Sequence, residues 1–223
     1  MRRRSLGLSL IELLVGSAIG LIVAAAAAAV VLANVRENRQ LQVEARLMQE
    51  LRSTAGMVAR DLRRAGYWSA SASGVRGDAA SAPLLNPHRA LSPQVAASDA
   101  VRLSFSREAG DELALDDDEQ FGFRLRNGAI EVQLGSANWQ AISDAGTLRV
   151  TTFDVVPVVE LVDLQAFCER ACAAGSTTCP PRQQVRSFAL SIQGGSVVDP
   201  AVVRSLRSTV RVRNDAVVGS CQE

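Results

Sequence analysis

Residues 5–35 read SLGLSLIELLVGSAIGLIVAAAAAAVVLANV, and this stretch decides how the chain is organised. Three arginines, at positions 2–4, precede it, and the 23 residues from Leu13 to Val35 carry no formal charge. At a rise of about 1.5 Å per residue, a helix over those residues would be roughly 34 Å long, which is enough to cross a bilayer core of about 30 Å. The sequence therefore predicts a membrane-spanning helix near the N-terminus.

One carboxylate, Glu12, lies just inside the start of this apolar run. A charged group in lipid costs on the order of a few kcal/mol, so an acidic residue here marks a candidate functional site. An ordinary secretory signal peptide has a shorter apolar core and a small-residue cleavage site, which the alanines at 24–29 imitate, and a simple signal anchor fits the length. Neither alternative explains Glu12 or the helical pattern that continues beyond Val35.

The segment Gly7-Leu8-Ser9-Leu10-Ile11-Glu12 resembles the processing site of type IV prepilins and of type II secretion pseudopilins. In that family a short basic leader ends in Gly, and Glu is the fifth residue of the mature chain. This chain departs from the usual pattern by having Leu8 in place of Phe or Met and Ser9 in place of Thr. The resemblance implies that prepilin peptidase cuts between Gly7 and Leu8, that the new amino group of Leu8 is methylated, and that Glu12 takes part in assembly.

The same resemblance divides the chain into four parts. These are a leader (1–7), a transmembrane helix (8–35), an amphipathic helix (36–66) and a periplasmic β-rich head (67–223). The arginines at 2–4 favour an N-terminus on the cytoplasmic side. We therefore expect a single-pass protein of the bacterial inner membrane, with its head in the periplasm, that enters a pilus after assembly.

The charge balance of the chain is close to neutral. The 223 residues include 24 basic residues, all of them Arg, and 23 acidic ones, for a net charge of +1. Loss of the three leader arginines would change the side-chain charge to 1 − 3 = −2. A nucleic-acid surface would require a strong basic excess, so nucleic acid is not an expected partner.

The periodicity beyond residue 35 predicts an α+β fold. Apolar residues recur at helical spacing from Leu41 to Ala65, through Ala45, Met48, Leu51, Ala55, Val58 and Leu62, and Gly66 is a stop signal. After a Ser/Ala/Gly/Pro-rich connection the period changes to two, which is typical of strands. Strands are predicted at 101–106, 121–126, 130–134, 148–156, 185–192 and 206–212, and Asn127-Gly128 predicts a hairpin. A long N-terminal helix, transmembrane and then amphipathic, packed on an antiparallel sheet is the type IV pilin-like architecture.

Two shorter matches favour a minor subunit. Residues 60–67 resemble the end of the N-terminal helix in PilW-type minor pilins, and residues 209–214 resemble the closing strand of that group and of the related J-type pseudopilins. The expected role is that of a minor pilin in type IV pilus assembly and priming, and the alternative is a J-type pseudopilin of a type II secretion system. The resemblance implies other minor and major pilins, prepilin peptidase, the inner-membrane assembly platform and membrane lipid as partners.

The four cysteines are Cys168, Cys172, Cys179 and Cys221. Their spacing lacks the tight Cys-x2-Cys pairs that zinc and iron–sulfur sites usually use, and an oxidising periplasm favours disulfides. Two disulfides are the main prediction, free thiols and a metal site are the alternatives, and four cysteines allow three pairings. The pilin resemblance implies that one bond closes the C-terminal region.

No residue set indicates catalysis or a cofactor. His88 is the single histidine, and an exposed loop position is the favoured interpretation. Residues 116–119 read DDDE and follow Asp111 and Glu112, but they lack the alternation of a calcium loop, so we expect a solvated acidic turn. The RGD tripeptide at 76–78 is ascribed to chance. The sequence therefore gives no candidate catalytic, cofactor-binding or metal-binding residue, and the chain is not expected to be an enzyme.

Overall fold

The computed structural model describes residues 9–74, 84–108 and 113–222. The helix α1 spans Leu10–Arg64, and eight strands follow it within the described part of the chain. The chain divides after Ala45 into two compact units. We refer to residues 9–45 as the anchor segment and to residues 46–222 as the head.

The anchor segment is a continuous helix with no side chain buried. Its apolar residues are uncovered, from Leu10 at 80 % exposure to Val31 at 59 %. By length and composition α1 can cross a membrane, and its most apolar window has a mean hydropathy of 2.5. A helix that is apolar on all sides needs lipid or other apolar helices around it.

The part of α1 in the head is amphipathic and buries one face. Its buried residues recur at intervals of three and four: Leu47, Leu51, Thr54, Ala55, Val58, Ala59 and Leu62. The predicted apolar stripe is correct from Leu51 onward. Its first members, Leu41 and Ala45, are exposed residues of the anchor segment, and Leu47 is buried where Met48 was expected. Spacings of three and four are both helical, so the pattern alone could not choose between positions 47 and 48.

The end of α1 is held by backbone groups that are remote in sequence. Gly66 has a φ of +75°, the left-handed conformation in which glycine often follows a helix. Its N–H donates to the Ser104 carbonyl at 2.9 Å, and the N–H of Arg213 donates to the Arg63 carbonyl at 3.1 Å. The end of β1 and the segment between β7 and β8 thus both contribute to the helix terminus.

The first sheet is a four-stranded antiparallel meander. Its strands are β1 (Ala100–Ser104), β2 (Gln120–Arg126), β3 (Ala129–Leu134) and β4 (Trp139–Ala141), in that order. Asn127 and Gly128 join β2 to β3 with φ values of 52° and 78°. Positive φ at both positions is the requirement of the type I′ turn, so the predicted hairpin is confirmed.

The second sheet contains the longest strands. These are β5 (Leu148–Asp163), β6 (Arg182–Ser196), β7 (Val203–Arg211) and β8 (Ala216–Val218). The order is β5-β6-β7, and β8 pairs with the start of β6. The sequence predicted one sheet and shorter versions of β5 and β6, whereas the structure has two antiparallel sheets and a β5–β6 hairpin that extends well past Val156.

The two sheets are linked by backbone hydrogen bonds at β5. The Val150 N–H donates to the Gly128 carbonyl at 2.8 Å, and Ser98 and Val155 exchange a pair of bonds. Side chains from both sheets are buried with the inner face of α1. The fully buried members include Leu51, Val58, Leu62, Phe123, Ile130, Leu148, Phe153, Leu190 and Ile192. The predicted α+β class, with a long helix packed on antiparallel strands, is confirmed.

Four short 3₁₀ turns complete the described elements. They lie at Ser71–Gly74, Pro87–Arg89, Asp117–Glu119 and Gln165–Phe167.

Candidate assembly helix and disulfide-closed tail

Glu12 lies in the first turn of α1 within the anchor segment. Its N–H donates to the Ser9 carbonyl at 3.0 Å, so the backbone is already helical there. Within the described residues its side chain forms no hydrogen bond or ion pair. A carboxylate near a helix N-terminus is stabilised by the helix dipole, and among residues 9–74, 84–108 and 113–222 no basic side chain pairs with it. Glu12 is thus a carboxylate at the start of an apolar, exposed helix, and no described side chain pairs with it.

The other sequence-predicted assembly residues are not placed by the structure. Gly7 and Leu8 lie outside the described residues, so cleavage and methylation there remain predictions. Beyond Glu12 the next charged residue of the anchor segment is Arg36. The apolar surface between them is continuous and uncovered.

Two family comparisons match nearly the whole chain. The prokaryotic N-terminal methylation motif matches residues 2–28, a range that contains Gly7, Leu8 and Glu12. The model of prepilin peptidase-dependent protein B matches residues 40–212, which includes every strand of the head except β8. The chain belongs to the prepilin peptidase-dependent protein B family.

Membership in the prepilin peptidase-dependent protein B family identifies this chain as a type IV pilin-like protein. It supports a minor pilin or pseudopilin role and membrane anchoring through the N-terminal helix. It does not distinguish a pilus subunit from a secretion pseudopilin. The chain matches no curated protein and no solved structure.

The four cysteines form two disulfide bonds at one end of the second sheet. Cys168 bonds to Cys221, with their Cα atoms 5.4 Å apart, and Cys172 bonds to Cys179 at 5.5 Å. Of the three pairings that the sequence left open, the structure has this one. No free cysteine remains.

The last residues of the chain are fixed by several contacts besides the Cys168–Cys221 bond. Strand β8 pairs with the first residues of β6. The N–H of Ser220 donates to the Thr178 carbonyl at 3.0 Å, and the N–H of Ala173 donates to Gln222 Oε1 at 2.9 Å. Gly219 has a φ of +84°, and a Cβ atom at this position would overlap the Thr178 carbonyl oxygen. Residues 216–222 are thus part of the head.

Removing the Cys168–Cys221 bond should destabilise the head more than removing the other bond. The bonds close sequence separations of 53 and 7 residues. In the chain-entropy account the longer loop gives about 4 kcal/mol and the shorter one about 2 kcal/mol. The double variant Cys168→Ser/Cys221→Ser should therefore lose about twice the unfolding free energy lost by Cys172→Ser/Cys179→Ser. Urea unfolding of the full chain in detergent, followed by tryptophan fluorescence, measures both, and equal losses would contradict the prediction.

His88 is buried, so its interpretation as an exposed loop residue was wrong. It lies in the 3₁₀ turn Pro87–Arg89 and is 0 % exposed. Its Nε2 atom is 3.1 Å from Ser106 Oγ and 3.7 Å from Glu119 Oε2. Burial lowers the pKa of His88, and the Glu119 carboxylate opposes that effect. Burial of His88 therefore favours the neutral imidazole.

Glu119 also differs from the expected solvated turn. Its carboxylate is 2 % exposed and accepts hydrogen bonds from the N–H groups of Arg107 and Asp116, whereas residues 116–118 are exposed. Asp111 and Glu112, like the RGD tripeptide at 76–78, lie outside the described residues. Within the described residues, no group of three or more acidic, His or Cys side chains is arranged to hold a metal ion.

The Ser106, His88 and Glu119 side chains form a buried polar cluster beside the end of α1. Ser106 is 2 % exposed, and its Oγ accepts the Ser69 N–H at 3.1 Å. The Asn86 amide next to His88 donates to the Gly66 carbonyl at 2.8 Å. These bonds fix the connection before β1 against the helix terminus. Sequence reasoning missed the cluster because its members come from three separate loops.

Proposed function

We propose that this chain is a minor pilin of the PilW type that takes part in priming and assembling a type IV pilus. The observation that carries the proposal is Glu12, the one carboxylate before Arg36 in an exposed apolar helix. It lies within the match to the N-terminal methylation motif and at the fifth position after Gly7, as the resemblance to prepilins implies. A plain membrane anchor has no use for a charge at that position.

The proposed mechanism is the transfer of α1 from lipid to a helical bundle. The apolar surface of residues 13–35 leaves the bilayer and packs against the same segments of neighbouring subunits. Glu12 then pairs with the free amino group of Leu8 on the next subunit. Such a pair in a low-dielectric core matters chiefly because an unpaired buried charge costs about 3–5 kcal/mol.

In this proposal the N-terminus is cytoplasmic and the head is periplasmic before assembly. Two disulfides suit an oxidising compartment, since such bonds are rare in reducing ones. The partners are other minor and major pilins, prepilin peptidase, which removes residues 1–7, and the inner-membrane assembly platform. Membrane lipid surrounds residues 8–35 until the subunit is incorporated.

The proposed activity is structural, in keeping with pilin-like families. The one Ser-His-Glu set in the described head has all three side chains at 2 % exposure or less, so a substrate cannot reach it. Because the proposed role of this chain is structural, we assign the motor that drives assembly to another protein.

A deletion strain tests the pilus role against the secretion alternative. We expect loss of most surface pili and of twitching motility with unchanged secretion of type II substrates, and recovery of pili with the plasmid-borne full chain. Loss of secretion with normal piliation would contradict the pilus assignment and favour a J-type pseudopilin. Electron microscopy and assay of secreted protein in the same cultures provide both readouts.

A further inference from the structure

A groove of about 360 Å³ lies between the loop around residues 89–95 and the outer half of the β5–β6 hairpin. Its walls are mainly apolar, and two guanidinium side chains, Arg89 and Arg186, also line it. No aspartate or glutamate is among the described residues that line the groove. The groove is thus apolar with a positive charge and no negative one.

Arg186 is a buried cation whose hydrogen bonds go to backbone carbonyls. It is 9 % exposed. Two of its nitrogens donate to backbone carbonyls, those of Arg89 and Asn214, each at 2.8 Å, whereas its Nε has no hydrogen-bond partner. Burial lowers the pKa of Arg186, and the negative charge of Asp215 opposes this effect. Asp215 Oδ2 accepts hydrogen bonds from Gln183 and Arg211, whereas its buried Oδ1 has no hydrogen-bond partner. A buried charge of this kind is normally neutralised by an anion.

The edge of β5 beside the groove is open for backbone pairing. At Val155 the N–H and C=O groups point away from β6, because both are bonded to Ser98. The strand alternates without a register shift from there to Asp163, so the N–H groups of Val159 and Leu161 also point to the free edge. Pro157 occupies an outward position, where a missing N–H costs nothing. In the described chain no strand pairs with this edge beyond Val155.

A strand that paired with the free edge of β5 would place one of its side chains at the groove. Val159 is opposite Arg186 in the β5–β6 register, and Pro157 is opposite Phe188, so these side chains share one face of the sheet. A strand added to β5 would place the side chain opposite Val159 on that face as well. Val159 and Leu161 are 44 % and 50 % exposed. Their apolar surface is therefore available to other side chains of the added strand on the same face.

We propose that this groove is the docking site for an extended segment of a neighbouring pilin-like subunit in which a glutamate lies between apolar residues. The segment adds to the edge of β5 by backbone hydrogen bonds, its apolar side chains cover Val159 and Leu161, and its carboxylate pairs with Arg89 and Arg186. The choice of a pilin-like partner rests on the proposed function. The chemistry of the segment rests on the groove alone.

Binding of labelled peptides to the full chain in detergent micelles tests the docking site. The probe is a ten-residue peptide of alternating threonine and valine with one central glutamate, and its match has glutamine instead. We expect the glutamate peptide to bind about tenfold more tightly, because hydrogen bonds to a charged group are stronger than those to a neutral amide. Fluorescence anisotropy gives the dissociation constants. Equal affinities, or no saturable binding up to about 1 mM peptide, would overturn the proposal.

Three variants distinguish the contribution of the arginine charge to binding from that of backbone pairing at the edge of β5. Arg89 is exposed, so Arg89→Gln should fold normally and should lower the preference for glutamate, which Arg186 alone then supports. Arg89→Lys should keep the preference within about threefold. Val159→Pro removes an outward N–H and should weaken both peptides about tenfold. Arg126→Gln, an exposed arginine remote from the groove, is the control and should change neither. Unchanged binding in Arg89→Gln and Val159→Pro variants with wild-type melting temperatures would refute the site.

These measurements do not depend on pilus assembly. If the peptide binds but the deletion strain has normal pili, the proposed function is contradicted and the docking site is supported. If deletion abolishes pili but the two peptides bind equally, the docking site is contradicted and the proposed function is supported.

Discussion

Replacing Gly7 with leucine should abolish removal of residues 1–7 and leave the full-length chain in the membrane. The extended backbone around the cleaved bond must enter a narrow protease site, and the missing side chain of Gly7 allows it to do so. An overpacking clash of about 3 kcal/mol, the upper end of the usual range, would slow cleavage roughly 100-fold. Intact-mass spectrometry of the membrane-extracted protein distinguishes the uncut chain from the mature one.

The control for this prediction is Gly7→Ala, which adds one methyl group and should retain part of the cleavage. Membrane abundance should be equal in both variants, because the apolar run of residues 13–35 is intact. In the wild-type protein the mature chain should begin at Leu8 and carry one additional methyl group on its amino terminus. A wild-type N-terminus at Met1, or within alanines 24–29, would contradict both the prediction and the pilin-type leader.

Features that depend on neighbouring residues were predictable from the sequence. The β2–β3 hairpin follows from the positive φ that Asn127 and Gly128 tolerate, and the helix end follows from Gly66. The apolar stripe of α1 in the head is also local, because helical spacing alone places Leu51, Ala55 and Leu62 on one face. These elements were enough to give the α+β class.

The outer half of the β5–β6 hairpin was not predictable in this way. Residues 155–162 read VVPVVELV, which lacks the alternation of a half-buried strand and contains a proline. The structure explains both features: the backbone nitrogen of Pro157 is on the unpaired edge, and beyond the buried Val155 the valines on both faces are exposed. The most distinctive surface of the head therefore lies where the sequence pattern was weakest.

The polar interior depended on contacts between distant segments. His88 was expected in solvent because it lies in a Pro-rich loop, and only the approach of Ser106 and Glu119 makes it a buried residue with partners. The cysteine pairing has the same origin, since the return of β8 to the start of β6 is what brings Cys221 near Cys168. For Glu12 the situation is reversed: the hypothesis came from the sequence, and the structure adds only that no side chain in the described part of the chain pairs with it.

Replacing Glu12 with leucine should block assembly without reducing insertion or cleavage. The change removes a charge from an apolar helix, so the variant should be at least as abundant in the membrane as the wild type. In the filament, however, the amino group of Leu8 on the neighbouring subunit would be buried without its partner. A cost of about 3–5 kcal/mol corresponds to a loss of more than roughly 100-fold in incorporation. Pilus counts and twitching motility, normalised to membrane abundance, measure it.

The matched control is Glu37→Leu, which makes the same exchange on the same helix just beyond the apolar run. Glu37 is exposed and lies where the helix already carries charges such as Arg36 and Arg39, so its loss should leave piliation within about twofold of wild type. Glu12→Gln separates charge from size, and it should resemble Glu12→Leu because a neutral amide does not balance an ammonium group. Normal piliation by a membrane-abundant, correctly cleaved Glu12→Leu protein would contradict the pairing role. It would reduce the N-terminal helix to an anchor, however closely its first residues match the methylation motif.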